Sequence, residues 1–303
     1  MAPGCFLLVD GHAYAYRSFF AIRSLSGPDG APTNAVFGFV KAFQKMRAAL
    51  APAIAAVVWD GGLAAERVAA LPGYKAQRPE MPADLARQLD GIVAWLGAAG
   101  VTSLCRDGVE ADDWIAALAR RAACPDAASA AAAGLRVVIA SADKDFMQLV
   151  TADIALLNPN DKSEQLWTRA QVAAKTGVEP AQIVDWLALV GDAVDNIPGV
   201  PGVGPKTAAA LLQQFGSVDA LLARLAEVKS DRIRAALEAA REGIRRNQFM
   251  VRLHDEAAPA EPAPEACALR QADVHALATL YEKWGFRGLR RELGDAPAQG
   301  ALL

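Results

Sequence analysis

The sequence predicts an α/β fold with a central, mostly parallel sheet and helices on both of its faces. Four short apolar runs have the length and composition of buried parallel strands: residues 5–9, 54–59, 135–140 and 154–157. Helical stretches alternate with these runs, as is typical of parallel sheets: residues 34–50, 84–99 and 111–123. After residue 168 the pattern is helical throughout, which predicts an all-helical C-terminal region.

Length and composition place the chain among globular proteins. Its 303 residues are 53% hydrophobic and 21% charged, which is enough to bury a large core in one or two domains. The run at 5–9 is too short for a signal peptide and no run could span a bilayer, so no membrane partner is expected. The four cysteines have neither zinc-site nor redox spacing, which predicts a reducing, cytoplasmic location. The net charge of −3 argues against a nucleic-acid partner unless the acids are concentrated at one site.

Acidic residues directly follow three of the predicted strands. Asp10, Asp60 and Asp143 come at the carboxyl ends of apolar runs, and Asp145 lies just beyond the last of them. The carboxyl ends of parallel strands share one edge of a sheet, where the active sites of such folds lie. A single acid there means little, because strands often end in Asp-Gly turns. Three such ends predict one acidic crevice.

Further carboxylates are grouped at Glu110, Asp112 and Asp113, at the start of a predicted helix. Carboxylates this close repel one another unless a cation lies between them, and Mg²⁺ prefers oxygen ligands. Their spacing places Glu110 and Asp113 on one face of the helix, with Asp112 pointing elsewhere. Asp192 and Asp195 repeat the three-residue spacing later in the chain. An acidic first turn that merely suits the helix dipole is the alternative interpretation.

A basic segment flanked by proline and glycine lies between the second strand-end acid and the Glu110 group. Residues 71–82 contain Tyr74, Lys75 and Arg78 and are predicted to be irregular. This segment could grip phosphates, with Tyr74 stacked on a base, or it could be a solvated surface loop. The spacing favours neither interpretation.

The helical region contains a glycine-rich turn at residues 199–207. It resembles a phosphate-binding P-loop, but Pro205 stands where that motif needs lysine and no strand precedes it. A helix–hairpin–helix fits better, because Gly202 and Gly204 let the backbone approach a DNA phosphate and the next helix can donate N–H groups to it. An ordinary Gly-Pro turn between helices is the alternative.

Other segments carry simpler predictions. The alanine-rich residues 122–134 are expected to form a frayed helix end or a surface loop. Residues 230–253 are predicted as one long, arginine-rich helix with a solvated face. Residues 255–266 are predicted as an unstructured tether, and a last helix at 272–283 is expected to dock back on the body. His12 is expected to be a packed or solvated imidazole rather than a contact to metal-bound water.

Together these stretches resemble the bacterial 5′ nuclease (flap endonuclease) family, in particular the N-terminal 5′→3′ exonuclease domain of bacterial DNA polymerase I and its stand-alone relatives. The resemblance covers residues 6–293 and rests on six motifs: Leu8-Val-Asp10-Gly, Val-Val-Trp-Asp60, Tyr74-Lys75-Ala-Gln-Arg78-Pro, Gly-Val-Glu110-Ala-Asp112-Asp113, Ala-Asp143-Lys-Asp145 and the run from Gly191 to Thr207. It implies a PIN-like nuclease core at 1–167, with an arch segment at about 70–100, and a helix–hairpin–helix region at 168–303. No polymerase sequence follows residue 303, so a stand-alone nuclease or a fragment is expected.

The resemblance also implies metal ligands. In the family, two divalent ions, Mg²⁺ or Mn²⁺, are surrounded by the acids that match nine positions here: Asp10, Asp60, Glu110, Asp112, Asp113, Asp143, Asp145, Asp192 and Asp195. The first ion is held chiefly by Asp10, Asp60, Glu110 and Asp112. The second is held, partly through water, by Asp143, Asp145, Asp192 and Asp195. With these nine acids set aside, the rest of the chain is mildly basic, which removes the charge objection to a nucleic-acid partner.

The remaining roles implied by the resemblance concern the substrate. Lys75 and Arg78 are implied as the catalytic cations, placed on a helical arch. Contacts to DNA are implied for five residues: Tyr74, Gly202, Gly204, Lys206 and Thr207. In relatives a monovalent cation such as K⁺ assists the hairpin.

The implied activity is structure-specific, metal-dependent hydrolysis of DNA as a 5′→3′ exonuclease and 5′-flap endonuclease in replication and repair. The implied partners are 5′-flap, branched or nicked DNA and RNA primers in hybrids, and a monomer is expected. Two alternatives remain. A PIN-like ribonuclease shares the strand-end acids but lacks the helix–hairpin–helix. A non-catalytic, structure-specific DNA-binding protein would not need the complete set of acids.

Overall fold

The computed structural model describes residues 4–123, 135–161, 163, 165–256 and 258–295. The strands are β1 (Cys5–Asp10), β2 (Ile54–Trp59), β3 (Thr102–Cys105), β4 (Arg136–Ala140), β5 (Ile154–Leu157), β6 (Leu166–Trp167), β7 (Gly191–Asp192) and β8 (Ile197–Pro198). The α-helices are α1 (Gly11–Ala21), α2 (Asn34–Leu50), α3 (Ala65–Ala70), α4 (Ala83–Ala98), α5 (Ala111–Ala123), α6 (Arg169–Thr176), α7 (Ile183–Val190), α8 (Pro205–Phe215), α9 (Val218–Ala223), α10 (Asp231–Ala239), α11 (Arg241–Val251), α12 (Val274–Trp284) and α13 (Arg287–Asp295). Beyond Ala123, the loop predicted for 122–134 lies outside the described residues.

The main sheet has the strand order β3-β2-β1-β4-β5-β6, with β1 to β5 parallel and β6 antiparallel to β5. Alternate residues of the central strand β1 face opposite sides of the sheet. Phe6 and Leu8 enter one hydrophobic core, and Leu7 and Val9 enter the other. The predicted α/β fold with a mostly parallel sheet is confirmed. Strands β3 and β6 were not predicted, because both are short and only partly buried.

Helices cover both faces of the sheet. One face carries α1, α2 and α4, joined by α12 and α13 from the end of the chain. The other face carries α5 and the helical region that begins with α6. Val172 and Leu187 of that region share a core with Phe6 and Ile115, so the boundary at 167/168 stays a prediction. None of the described helices combines the length and apolar character needed to cross a membrane.

The arch expected at 70–100 is replaced for most of its length by a packed helix. Helix α4 buries Leu85, Ile92 and Trp95 against the core, so it belongs to the body of the fold. The irregular part is confined to residues 71–82, between α3 and α4. The prediction of an arch is therefore wrong for residues 83–98. The amphipathic pattern of this stretch had already indicated a helix, but not which surface it packs against.

Two features of the helical region differ from the prediction. The long helix expected at 230–253 is broken at Ala240 into α10 and α11. The apolar spacing of Ile233, Leu237 and Ile244 continues across the break, so the hydrophobic pattern carries no signal of it. The region is also not wholly helical, because β7 and β8 pair as a small antiparallel ladder.

The segment predicted as an unstructured tether at 255–266 is attached to the body. Arg121 of α5 donates a hydrogen bond of 3.1 Å to the carbonyl of Pro259, and Cys267 is fully buried. The chain then follows the sheet, where the N–H of Arg270 donates to the carbonyl of Gly100 at 3.0 Å. Helix α12 confirms the last predicted helix and its return to the body.

Candidate active site

Neighbouring strands place acids at one edge of the sheet. Because β1 lies between β2 and β4, Asp10 at the end of β1 is flanked by Asp60 after β2 and Ser141 after β4. The Ser141 hydroxyl donates to Asp10 Oδ2 at 2.8 Å. The backbone N–H of Ala13 donates to Asp10 Oδ1 at 3.0 Å, so the carboxylate also caps α1. Strand, helix and hydroxyl therefore hold Asp10 in one orientation.

Helix α5 brings another acid to the same edge. Asp60 Oδ1 accepts a hydrogen bond of 2.9 Å from the N–H of Ala111, which fixes the start of α5 beside the end of β2. Asp112 follows directly. Burial, and then the nearby charges of Asp143 and Asp10, raise the pKa of Asp112 well above its usual range.

The turn after β4 contributes Asp143 and Asp145. The Ser141 hydroxyl accepts a hydrogen bond from the N–H of Asp143 at 3.1 Å, and Asp143 Oδ1 accepts one from the N–H of Asp145 at 2.9 Å. Asp145 Oδ1 is buried and has no hydrogen-bond partner among the described residues. Burial, and then the charge of Asp143, raise the pKa of Asp145 well above its usual range.

The small ladder β7–β8 completes this group with Asp192 and Asp195. Both are buried, and their charges act on Asp143 and Asp145. Lys144 Nζ lies 3.1 Å from Asp192 Oδ1. We call these seven residues the acid cluster: Asp10, Asp60, Asp112, Asp143, Asp145, Asp192 and Asp195.

The acid cluster carries more negative charge than its surroundings balance. Burial raises the pKa of Asp10 from 3.8 to about 6; hydrogen bonds from Ala13 and Ser141 oppose this rise, and the charges of Asp60 and Asp143 add to it. Burial likewise raises the pKa of Asp143. Such shifts mean that the charged forms are disfavoured where they stand. A cation bound between these carboxylates would offset the cost of their burial and their mutual repulsion.

Glu110 and Asp113 differ from the acid cluster because cationic side chains pair with both of them, and their assignment as metal ligands stays a prediction. They do share one face of the chain around the start of α5, as predicted, but that face is occupied by the buried side chain of Arg67. Arg67 donates to both carboxylate oxygens of Asp113 at 2.8 Å, and the N–H of His254 donates to Asp113 Oδ1 at 2.8 Å. Asp112 points away from that face, as predicted, and faces the other acids.

Tyr74 and Lys75 are buried against Glu110. Lys75 Nζ lies 2.5 Å from Glu110 Oε1, and the Tyr74 hydroxyl donates to the same oxygen at 3.2 Å. Tyr74 is only 5% exposed, so the prediction that its ring stacks on a base is wrong. Burial alone would lower the pKa of Lys75, but the charges of Asp112 and Glu110 raise it, so the amine stays protonated.

The turn that carries Lys75 is held against the acid cluster by its backbone. The N–H of Lys75 donates to the carbonyl of Asp195 at 3.1 Å, and the Asn196 side chain donates to the carbonyl of Gly73 at 2.8 Å. Lys75 has a φ of 55°, a left-handed conformation that is uncommon for a non-glycine residue. Arg78, in the same turn, lies 2.6 Å from Asp195 Oδ1 through Nη2 and is partly exposed.

An aromatic pair on α1, of which Phe20 is exposed and Tyr16 half-buried, was missed by the sequence analysis and lies near this turn. Phe20 is 66% exposed and stacks on Tyr16, with ring centroids 6.4 Å apart and planes at 23°. The charge of Arg78 acts on the Tyr16 hydroxyl, opposing the rise in its pKa that burial causes. The signal present in the sequence was the spacing of four residues, which places both rings on one face of a helix.

The glycine-rich turn forms the predicted helix–hairpin–helix between α7 and α8. Gly202 has a φ of +80°, which favours glycine, and Gly204 precedes the first residue of α8. Gly202, Gly204 and Lys206 are exposed, whereas Thr207 is half-buried. Arg232 of α10, which the sequence did not single out, lies against the turn: its Nη2 is 3.4 Å from where a Cβ on Gly202 would be.

His12 is packed rather than free. Its Nδ1 accepts a hydrogen bond of 3.2 Å from the N–H of Asp60, and its ring meets Trp59 edge-on with centroids 5.3 Å apart. The imidazole is therefore packed, which is one of the two arrangements expected for it.

Family models for 5′-3′ exonucleases match the chain almost from end to end. The N-terminal resolvase-like domain matches residues 5–177, and the C-terminal SAM fold matches residues 178–275. A 5′-3′ exonuclease of Aquifex aeolicus is 35% identical over 286 residues, which are 94% of this chain and 94% of that protein. The chain belongs to the 5′-3′ exonuclease family.

Members of the exonuclease family also occur within larger enzymes. DNA polymerase I of Thermus thermophilus is 37% identical over 300 residues, which are 97% of this chain but only 34% of the polymerase. Among solved structures, T5 5′-exonuclease with bound zinc has a TM-score of 0.66 at 22% identity, covering 96% of this chain and 98% of that one. The Rad2 catalytic core in complex with DNA has a TM-score of 0.61 at 15% identity, covering 97% and 91%. At these identities the structural likeness establishes the fold.

The acid cluster of this exonuclease fits a hard divalent cation. Its donors are carboxylate oxygens, and Asp145 Oδ1 is an unpaired buried acceptor. In the described part of the chain no three Asp, Glu, His or Cys side chains are arranged to hold an ion directly. Mg²⁺ keeps several waters and is commonly bound by one or two carboxylates together with substrate phosphates. The spread of acids is therefore compatible with ions shared with water and phosphate.

Proposed function

We propose that this exonuclease is a divalent-metal-dependent, structure-specific nuclease that cleaves DNA at 5′ flaps, branches and nicks. The observation that carries the proposal is the acid cluster, whose unbalanced negative charge lies beside Lys75 and Arg78. Acids that disfavour their own ionisation provide a site for cations, and adjacent cationic side chains provide a site for a phosphate.

The metal site is proposed for the acid cluster alone, with two Mg²⁺ or Mn²⁺ ions. One set of ligands is Asp10, Asp60 and Asp112. The other set is Asp143, Asp145, Asp192 and Asp195. Bound there, the ions supply Lewis-acid activation of water and neutralise charge on the phosphate. Glu110 and Asp113 are left out, because Arg67 and Lys75 already neutralise them.

Lys75 and Arg78 are proposed to hold the phosphoryl oxygens. An ammonium group has three donors, of which Glu110 takes one, so further donors of Lys75 Nζ remain for a phosphate. Arg78 uses Nη2 to bind Asp195, and its remaining N–H groups are partly exposed. Donors aimed at charge that develops on the phosphate stabilise the transition state more than the bound substrate.

The stacking role expected for Tyr74 is reassigned to the aromatic pair on α1. Tyr16 and Phe20 lie near Arg78, and Phe20 is the most exposed aromatic ring among the large exposed hydrophobic side chains of the described chain. Stacking on an aromatic ring is tolerant of base identity. We therefore assign these rings to an unpaired or terminal base of the cleaved strand.

The duplex backbone is proposed to bind at the hairpin. Gly202 and Gly204 leave its surface open to a phosphate, and Lys206 adds an exposed positive charge beside the first turn of α8. The first N–H groups of a helix have no partner within the helix and suit an anion. Arg232 extends this surface. A monovalent cation such as K⁺ is proposed to assist the hairpin, and exchange of K⁺ for a larger organic cation in binding assays tests it.

Further proposals concern the wider context. Phosphate contacts carry no sequence information, so the proposed selectivity is for DNA structure and not for base sequence. A 5′ RNA primer in an RNA–DNA hybrid is a further proposed substrate. We propose that the chain acts as a monomer in the cytoplasm. The chain spans about a third of the length of the polymerase relatives that it matches.

The deciding experiment compares cleavage of a 5′-labelled flap with that of matched single-stranded and fully paired DNA. Reactions contain EDTA, Mg²⁺ or Mn²⁺. We expect metal-dependent release of the flap and slow cleavage of the paired control. Cleavage of RNA single strands in preference to the flap would favour the ribonuclease alternative. Flap binding without cleavage under any metal would favour the non-catalytic one.

A further inference from the structure

A second charged cluster lies beside the acid cluster, and its charges are balanced. Arg67 and Lys75 are its cations, and Glu110 and Asp113 are its acids; each is at most 7% exposed. Although burial opposes the change, the charges of Lys75 and Arg67 hold the pKa of Glu110 below its usual range. We call these four residues the buried ion group. Its members come from α3, the turn after it and the start of α5.

Within the buried ion group, Arg67 binds both oxygens of Asp113 and one oxygen of Glu110. The second oxygen of Glu110 binds Lys75. Its guanidinium forms a fork on Asp113, with Nη1 and Nη2 each 2.8 Å from a carboxylate oxygen. Nη1 also binds Glu110 Oε2. The other oxygen, Oε1, is left for Lys75 Nζ at 2.5 Å. Glu110 therefore links Arg67 to Lys75 through opposite oxygens of one carboxylate.

The position of the Lys75 ammonium depends on Arg67, because Arg67 binds Asp113 and one oxygen of Glu110. Without Arg67, Glu110 and Asp113 would be two buried acids with one cation between them. A buried acid without a partner is strongly disfavoured, so the Lys75 ammonium would be drawn towards both. It would then move away from the acid cluster, where its charge now acts on Asp112 and Asp143. An ammonium could not replace Arg67, because one nitrogen cannot form the planar fork.

Arg67 also connects this group to the helical region. Nη2 donates to the carbonyl of Arg252 at 2.9 Å, just beyond α11, and Asp113 accepts the N–H of His254. A cleft of about 260 Å³ beside Arg67 is bounded by Phe249 and His254. The same guanidinium thus holds the chain after α11 against the start of α5.

We propose that Arg67 is a positioning residue for strand cleavage: by occupying Asp113 and one oxygen of Glu110, it leaves the other oxygen to hold the Lys75 ammonium beside the acid cluster. The proposal rests on the proposed function, because it assigns Arg67 an effect only through the phosphate contact of Lys75. It predicts that the two residues act as one unit.

The test is a double-mutant cycle on single-turnover cleavage of a 5′ flap at saturating enzyme. The variants are Arg67→Met, Lys75→Met and the combination. We expect each single variant to cleave at least about tenfold more slowly, a cautious fraction of the effect of one transition-state donor. We expect the combination to be no slower than Lys75→Met alone. Flap affinity measured in EDTA should change by less than about threefold, since the hairpin supplies most of the binding.

Two controls separate positioning from folding. Arg121→Met removes another arginine that ties the C-terminal chain to α5, through the carbonyl of Pro259, without touching the acid cluster. It should lower the melting temperature and leave the cleavage rate unchanged. If Arg67→Met does not fold, Arg67→Lys keeps the charge and loses only the fork, and should still be slow. Added guanidinium should partly restore Arg67→Ala and not Lys75→Met.

The outcomes are distinct. If wild-type protein does not cleave flaps, or Lys75→Met cleaves at the wild-type rate, the proposed function of Lys75 fails and this inference fails with it. A second outcome is that Lys75→Met is slow while Arg67→Met slows the Lys75→Met protein as much as it slows wild type. The two rate reductions then multiply, and only the inference about Arg67 is overturned. A wild-type rate for both Arg67→Met and Arg67→Lys also overturns it.

Discussion

Arg232 offers the sharpest test of where the duplex backbone binds. Its Nη2 lies 3.4 Å from the position of a Cβ on Gly202, so its charge faces the open side of the hairpin. Among the described residues no acid pairs with it. Arg234, on the same helix, instead binds Asp231 and the carbonyl of Val228. Arg232→Gln and Arg234→Gln therefore each remove one positive charge from the same helix. Arg232 has no acidic partner among the described residues, whereas Arg234 is paired with Asp231.

The size of the effect follows from the number of DNA phosphates that each arginine neutralises. Each neutralised phosphate adds about 0.9 to the slope of log affinity against log salt for duplex DNA. Arg232→Gln should lower the magnitude of the slope by about that amount, and Arg234→Gln should leave it nearly unchanged. Between about 50 and 200 mM salt, a fourfold range, wild-type affinity should then fall about 3.5-fold more than that of Arg232→Gln.

The assay is binding of a fluorescent duplex with a 5′ flap, titrated at several salt concentrations in EDTA. The same measurement on duplexes of different sequence should give the same slope change, because a phosphate contact does not read bases. Cleavage at saturating DNA should be unaffected. Equal slopes for wild type and Arg232→Gln, or equal slope reductions in both variants, would show that the duplex does not lie over the hairpin.

Further predictions concern the acid cluster and the aromatic pair. Asp143→Asn combined with Asp145→Asn should abolish flap cleavage and leave affinity unchanged or higher, because both catalysis and repulsion of phosphate are removed; retained cleavage would refute the metal assignment. Phe20→Ala should weaken cleavage of flaps without changing duplex affinity, and an equal decrease in duplex affinity would contradict a stacking role. Asp10 has a pKa of about 6 when folded against 3.8, so the folded state binds more protons between these values and loses stability as pH rises through them, by up to about 3 kcal/mol. Melting curves in EDTA from about pH 4 to 7 should show this decrease in wild type, reduced in Asp10→Asn and in saturating Mg²⁺.

The sheet and its acidic edge were predictable because their signals are local. β1, β2 and β4 each contain an apolar run of at least four residues, and an acid lies at the carboxyl end of each strand or within three residues of it. Parallel pairing then brings Asp10, Asp60 and Asp143 to one edge without further information. The short strand β3 carries two polar residues in four, so it has no comparable pattern.

The roles of Tyr74, Glu110 and Asp113 could not be predicted in the same way. They depend on Arg67, which lies 43 residues from Glu110 and 46 from Asp113 in the chain. Nothing in the local pattern around Arg67 distinguishes it from a solvated arginine on a short helix. A tyrosine in a Pro/Gly-rich segment likewise looks exposed until its hydroxyl is seen to donate to Glu110.

The nine acids that look alike in the sequence should therefore respond in opposite ways to neutralisation. Asp145 has an unpaired buried oxygen and a raised pKa, so Asp145→Asn should stabilise the metal-free protein. Glu110 is 1% exposed and paired with two cations, so Glu110→Gln should destabilise it, by up to the roughly 3–5 kcal/mol seen when one member of a buried ion pair is removed. Melting temperatures in EDTA measure both effects. Under the proposed metal assignment, saturating Mg²⁺ should stabilise wild type and Glu110→Gln by similar amounts and Asp145→Asn by less. If both substitutions shift the melting temperature in the same direction, the division of the acids into a metal site and a buried ion group is wrong.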